Sequence, residues 1–439
     1  MKINLVKLMS PLVLMLAVTF SFNSCTKNNI GNMGNVKSDS KSAFSPEENA
    51  FTPIVLSVLA LPVPVKGSDG LYHITYELFL SNSNTFEWEV LSIEVLDGHP
   101  NGKVLDTVTG EEVFNKMQFI GTRQPTTSLE PTQSGLVFMT FTVESEEDIP
   151  ESLLHRLTIT VPGGLPEFIT TFLELPEGQQ SIAEFGAGFD VQKQEAVVLG
   201  PPLEGSGWVA VNGCCDSITH VRSDLAVNSK IHISQRYAID WMKVDEEKRL
   251  YVGDPHVLEN WVGYNENVLA VSDAQVVRVV DKFSDQVPFI LPAQVGAITL
   301  EEIDGNHVIL ALPNGQFAFY AHLIPGSITV KEGDFVTKGQ VIAKLGNTGN
   351  TSAPHLHLHI METASSLGSN GLPHTFEEYN LIGRTSEESF FDVGLEDNTP
   401  FVDEETESIL GSSIDVLPVA IPGVHNGDLP LNLRIVEFP

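Results

Sequence analysis

Short apolar alternation constrains this chain more than any other feature. The stretch "LYHITYELFLSN" (residues 71–82) sets Ile74, Tyr76, Leu78 and Leu80 against Thr75, Glu77 and Ser81, and "SGLVFMTFTVE" (residues 134–144) repeats the pattern with Val137, Met139, Phe141 and Val143. Successive side chains of a strand point to opposite faces, so a period of two reads as a half-buried strand. "HRLTITVP" follows at His155, and Gly, Pro or Asn turns break the runs. The expected class is all-β, with residues 51–198 forming an antiparallel β-sandwich. A chain of 439 residues is too long for one ordinary core, so a second domain is expected. The Pro/Gly-rich "LGPPLEGSGWVAVNGCC" (residues 199–215) marks the junction. Further strands then fill residues 199–365, and residues 366–439 read as an acidic, Pro-containing extension.

The N-terminus carries an address. Lys2 and Lys7 precede the apolar run "LMSPLVLMLAVTFSF", which ends at Asn23-Ser24-Cys25. A basic start, a short apolar stretch and a small residue before Cys resemble a bacterial lipoprotein signal, too brief for a spanning helix. Residues 1–25 are thus expected to be the signal, with Cys25 lipidated, and the Asn/Ser/Lys-rich residues 26–50 a flexible tether. The implied location is the bacterial cell envelope, periplasmic or cell-surface, with the membrane as partner through the lipid. A net charge of −33 excludes a nucleic-acid partner, because phosphate binding needs a basic face. With Cys25 lipidated, only the adjacent pair Cys214 and Cys215 remains, open to a vicinal disulfide, a soft metal contact or two thiols.

The chemistry concentrates in "GNTGNTSAPHLHLHI" (residues 346–360). Residues at i and i+2 share a strand face, so His355, His357 and His359 are able to project together. "FAFYAHL" delivers His322 at the end of another strand, and "RYAIDW" puts Asp240 in an apolar one, where an unpaired carboxylate is costly. Histidines and a carboxylate with one open position suit a catalytic zinc, which lowers the pKa of a bound water and polarises a carbonyl.

The ordered series of motifs resembles the lysostaphin/LytM-type zinc metallopeptidases. The resemblance runs through Tyr320, His322 and Leu323, through the Gly-Asp and Gly-Gln stretch from Val330 to Ile342, and through the P-H-L-H of residues 354–357. It covers about residues 208–361. It implies a compact β-domain with a narrow groove and hydrolysis of amide bonds in peptidoglycan stem peptides or cross-bridges. It also implies a Zn2+ cofactor, Asp240 and His357 as zinc ligands, and His355 and His322 as catalytic histidines. His359 stands where the family usually has Glu and reads as a solvent-facing residue with no role.

One position departs from the family pattern. The remaining ligand should be a His four residues before the Asp, and there the chain has Arg236, a donor-only cation. His220, in "CCDSITHVR", leads as the replacement because a turn is able to fold it over the site. His232 lies eight residues before Asp240, about 26 Å along a straight strand. A weak two-ligand site, or a zinc-free peptidoglycan-binding or amidase-regulating protein of the same fold, stays open beside these. The retention of Asp240 and three histidines together favours the enzyme. Trp241, Trp261 and Tyr264 are read as core or rim packing, His73 and His155 as surface or satisfied histidines, and residues 51–198 as a module for an envelope protein partner.

Overall fold

The computed structural model describes residues 50–216, 218–290, 298–391 and 413–439. The expected signal, Cys25 and nearly all of the tether lie outside the described residues. The first region consists of two antiparallel sheets. One orders its strands Ile54–Val58, Tyr72–Asn82, Ser134–Val143 and Met117–Phe119, with Val65–Lys66 beside the second. The other orders Ile182–Asp190, Ser152–Thr160, Trp88–Asp97 and Val104–Thr109, with Ser128–Leu129 beside Trp88–Asp97. Their inner faces share one core, in which Ile74, Tyr76, Leu78, Val137 and Met139 meet Trp88, Ile93 and Leu157. Each such side chain removed from water contributes ~1.5–3 kcal/mol, which holds the sheets face to face.

The other side of the same strands is covered as well. Glu77 is 0% exposed. Leu136 and Phe138, interleaved with the core residues, pack with Phe79 against Val221 and Ile233 of the second region. The polar side of the alternation is therefore a contact between the two regions.

The second region is built on one long antiparallel sheet. Its order is Phe335–Val336, Ala274–Val280, His307–Ala311, Phe317–Ala321, Leu356–Met361, Ile239–Lys243, Gly205–Val211, Arg434–Phe438, Tyr379–Arg384 and Gly423–His425. Residues 366–439, read from the sequence as an extension, supply its last three strands, and Arg434–Phe438 pairs directly with Gly205–Val211. Leu356, Leu358 and Ile360 bury one face of their strand in a core with Trp208, Ile239, Trp241 and Tyr320. The period of two then sends His357 and His359 to the opposite face.

Candidate metal centre

Three neighbouring strands bring the chemistry together through their register. Asp240 lies opposite His357. Ala321 lies opposite His357 on the other side, so His322 follows at the strand end. His322 has a φ of 65°, a left-handed conformation that a residue with a Cβ adopts only under constraint. These residues line a cavity of about 330 Å³ with Asn212, His220 and Asp304. The expected groove is thus a polar, histidine-lined recess.

Main-chain carbonyls set the rings. A carbonyl only accepts, so each nitrogen facing one carries the hydrogen. His220 Nδ1 donates to the Ala238 carbonyl at 3.1 Å, His322 Nδ1 to that of Thr348 at 2.7 Å, and His355 Nδ1 to that of Ala353 at 2.7 Å. Each ring is left with Nε2 as its remaining nitrogen. His220 Nε2 lies 3.1 Å from Asp240 Oδ2, and His355 Nε2 lies 3.3 Å from Asp240 Oδ1. His357 Nδ1 lies 2.8 Å from Asp240 Oδ1. Asn212 donates its Nδ2–H to Asp240 Oδ2 at 2.8 Å and fixes the carboxylate.

Electrostatics follow from this geometry. Burial raises the Asp240 carboxyl, but His220 and His355 beside it override burial and hold it well below the usual range. Burial, reinforced by His355 and His357, pushes His322 well below an ordinary imidazole.

Glycines bring the supporting loop close. Gly349 has φ +88°, and a Cβ there would stand 2.5 Å from Gly305 N; one on Gly305 would stand 2.3 Å from the Thr348 carbonyl that orients His322. The "GNTGNTS" loop therefore shapes the recess through its backbone.

Several sequence expectations are corrected or decided by geometry. His359 does not face solvent: it is 1% exposed, and its Nδ1 lies 2.8 Å from His357 Nε2. The cause is a sheet covered on both faces, which leaves this strand no wet side. Arg236 turns away from the recess, where its Nε donates to Glu77 Oε1 at 2.7 Å and its NH2 to Glu77 Oε2. His220 reaches the site, while His232 sits on the separate hairpin Asp224–Val227/Lys230–Ile233, paired opposite Leu225. Cys214 and Cys215 form a vicinal disulfide. Trp241 is core, packed edge-on to Phe376 and Phe438, and Trp261 packs on Tyr251 and Phe289. Tyr264 donates its OH to Asp285 Oδ2 at 2.9 Å. Sequence reasoning missed Asn212 and the carbonyls of Ala238, Thr348 and Ala353; no side-chain pattern announces a carbonyl.

Residues 262–369 match peptidase family M23. That span is similar to an M23 peptidase domain. The matched span contains His322, His355 and His357 and begins after Asp240, Arg236 and His220, so the departure from the family's ligand pattern lies outside it. Over 57 residues the chain is 40% identical to the peptidoglycan DD-endopeptidase ShyA of Vibrio cholerae serotype O1, a match covering 13% of this chain and 13% of that relative's length. Among solved structures, the catalytic domain of lysostaphin from Staphylococcus simulans is similar at 20% identity, covering 38% of this chain and 88% of that one, with a TM-score of 0.21. The M23 metalloprotease pseudoalterin, from the deep sea, is similar at 12% identity over 44% of this chain and 87% of its own, with a TM-score of 0.26.

M23 enzymes are metallopeptidases, and the donor set of this domain fits a metal ion. His220, Asp240 and His357 each offer a ligand atom within 4.8 Å of the others. His322, His355 and His357 form a second such group. The first joins a carboxylate to two imidazoles, one of the donor sets a catalytic zinc takes. Its rings are also anchored through their other nitrogens, by Ala238 and His359, as metal-binding histidines usually are.

Proposed function

We propose that this protein is a zinc-dependent endopeptidase that hydrolyses amide bonds in peptidoglycan stem peptides or cross-bridges. We further propose that it works at the bacterial envelope, tethered by a lipid on Cys25. The observation that carries the reading is the convergence of His220 Nε2, the Asp240 carboxylate and His357 Nδ1 beside two further histidines in one recess. The M23 match and the likeness to a peptidoglycan endopeptidase support the substrate class. Among the described residues no helix is long and apolar enough to cross a membrane.

His220, Asp240 and His357 would hold the ion. A bound zinc supplies a Lewis acid for the scissile carbonyl and an acidified water. His355 takes a proton on Nε2, since its Nδ1–H is committed to Ala353. His322 steadies the developing oxyanion. Thr348 already takes its Nδ1–H, so this role requires a second proton on Nε2. Burial opposes that cation in the resting protein, and negative charge developing nearby is what makes it favourable.

The test is digestion of purified cross-linked peptidoglycan by the zinc-loaded protein, with the released peptides identified by mass spectrometry. The expected result is loss of cross-linked peptides, abolished by a chelator and restored by zinc. A zinc-loaded protein that binds the polymer and cleaves no amide would overturn the enzyme and leave a binding or amidase-regulating module.

A further inference from the structure

The segment that supplies His220 is held by the sandwich. Val221 and Ile233 pack in a small apolar cluster with Leu136 and Phe138 of the sandwich, and Phe79 and Ile120 lie against it. Arg222, next but one to His220, donates to the Asn115 carbonyl, and its guanidinium sits 5.6 Å over the Phe138 ring. Asp224 accepts from Gln118 Nε2 at 2.9 Å and pairs with Arg123 Nε at 3.1 Å. Arg236, at the far end of the segment, is locked to Glu77 with both side chains nearly fully buried, 3% and 0% exposed. A buried guanidinium–carboxylate fork of this kind has directional bonds and a severe cost if one partner moves away. The same segment meets the M23 domain through His220 itself, whose Nδ1 is held by Ala238.

Arg236, at the position where the family pattern has a ligand, is instead spent on the sandwich. We propose that the sandwich is a structural part of the metal centre, clamping residues 218–236 so that His220 completes the donor set. Gln118 and Phe138 are positioning residues in this scheme, acting on the metal only through His220. The inference rests on the metal-centre reading above. It assigns residues 51–198 a partner within the same chain, namely the segment carrying the third ligand.

The test uses the full-length protein. Zinc affinity is measured by competition with a chromogenic chelator, and backbone hydrogen exchange of residues 218–225 is measured without metal. Both are compared for the parent, Gln118→Ala, Phe138→Ala and the control Val90→Ala, which opens the sandwich core away from the contact. Gln118→Ala and Phe138→Ala should speed exchange across 218–225 and weaken zinc at least tenfold, while Val90→Ala leaves zinc affinity within twofold. Should Phe138→Ala fail to fold, Gln118→Ala carries the test. Parental zinc affinity in clamp variants whose segment exchanges faster would overturn the inference, as would unchanged exchange. A parent that binds no zinc overturns the underlying metal reading instead, and that outcome is read from the parent alone.

Discussion

Two regions of this molecule bury histidines, with opposite consequences. In the sandwich, His155 is 0% exposed. Its Nε2 meets the Tyr76 hydroxyl at 2.7 Å, its Nδ1 meets the Ala187 carbonyl at 3.1 Å, and its ring stacks on Phe189. Both nitrogens are spent within the core. In the M23 domain, His220, His322 and His355 also spend Nδ1 on a carbonyl, but each keeps Nε2 for a shared recess lined by Asp240. A buried histidine is therefore uninformative by itself. What marks a site is a ring nitrogen turned towards other ligand-type atoms, and the space several such atoms share.

Substitutions sharpen this contrast in descending order. Asp240→Ala and His357→Ala should remove zinc altogether, weakening it by more than the ~10–100-fold that outer-shell changes cost. His155→Phe should leave zinc content at the parental level, and metal analysis of the three variants checks both. His355→Ala and His322→Ala should each lower kcat ~10²–10⁴-fold while keeping the metal, the range for losing a general acid or base. Loss of metal in either would move that ring into the ligand set.

His359 tests the supporting shell. Its Nδ1 is the partner of His357 Nε2, so His359→Leu should weaken zinc ~10–100-fold. His359→Glu, which keeps an acceptor there, should recover most of that loss. A parental zinc Kd in His359→Leu would reduce the residue to packing.

pH separates the regions through stability rather than through the metal. Burial lowers His155 from 6.5 to about 4. Between these values the unfolded chain binds the proton and the folded one does not, so the contribution is complete above pH 6.5 and is lost as pH falls towards 4. Its size is about 3 kcal/mol, at ~1.4 kcal/mol per pKa unit. Glu184, raised to about 8 by burial in the same sandwich, has the opposite dependence. The quantity to measure is thus the stability difference between the parent and His155→Phe, by denaturant unfolding from pH 7 to pH 4. A flat difference would contradict the buried neutral histidine.

Much of this arrangement was legible in the sequence because it depends on strand periodicity. The alternation that put Ile74 and Tyr76 on one face also put His355 and His357 on one face, and both groupings exist in the structure. The motif residues come together because adjacent strands carry them in register. What escaped was whatever a second surface decides. Alternation alone puts His359 in solvent, because it gives a strand one wet side. Glu77 reads as the polar half of an alternation, although Phe79, Leu136 and Phe138 on that same side signal a covered face. Arg434–Phe438 pairs with the distant Gly205–Val211, and Gly423–His425 with Tyr379–Arg384, pairings that local pattern does not report. His220 was reachable only by asking which histidine was able to replace Arg236.

That replacement is the central claim, and the most direct test is the zinc content of the purified protein beside its His220→Ala and His232→Ala variants. The account predicts about one zinc per chain in the parent and in His232→Ala, and none in His220→Ala. A His220→Ala variant that keeps its zinc at the parental Kd would contradict it and place the third ligand elsewhere.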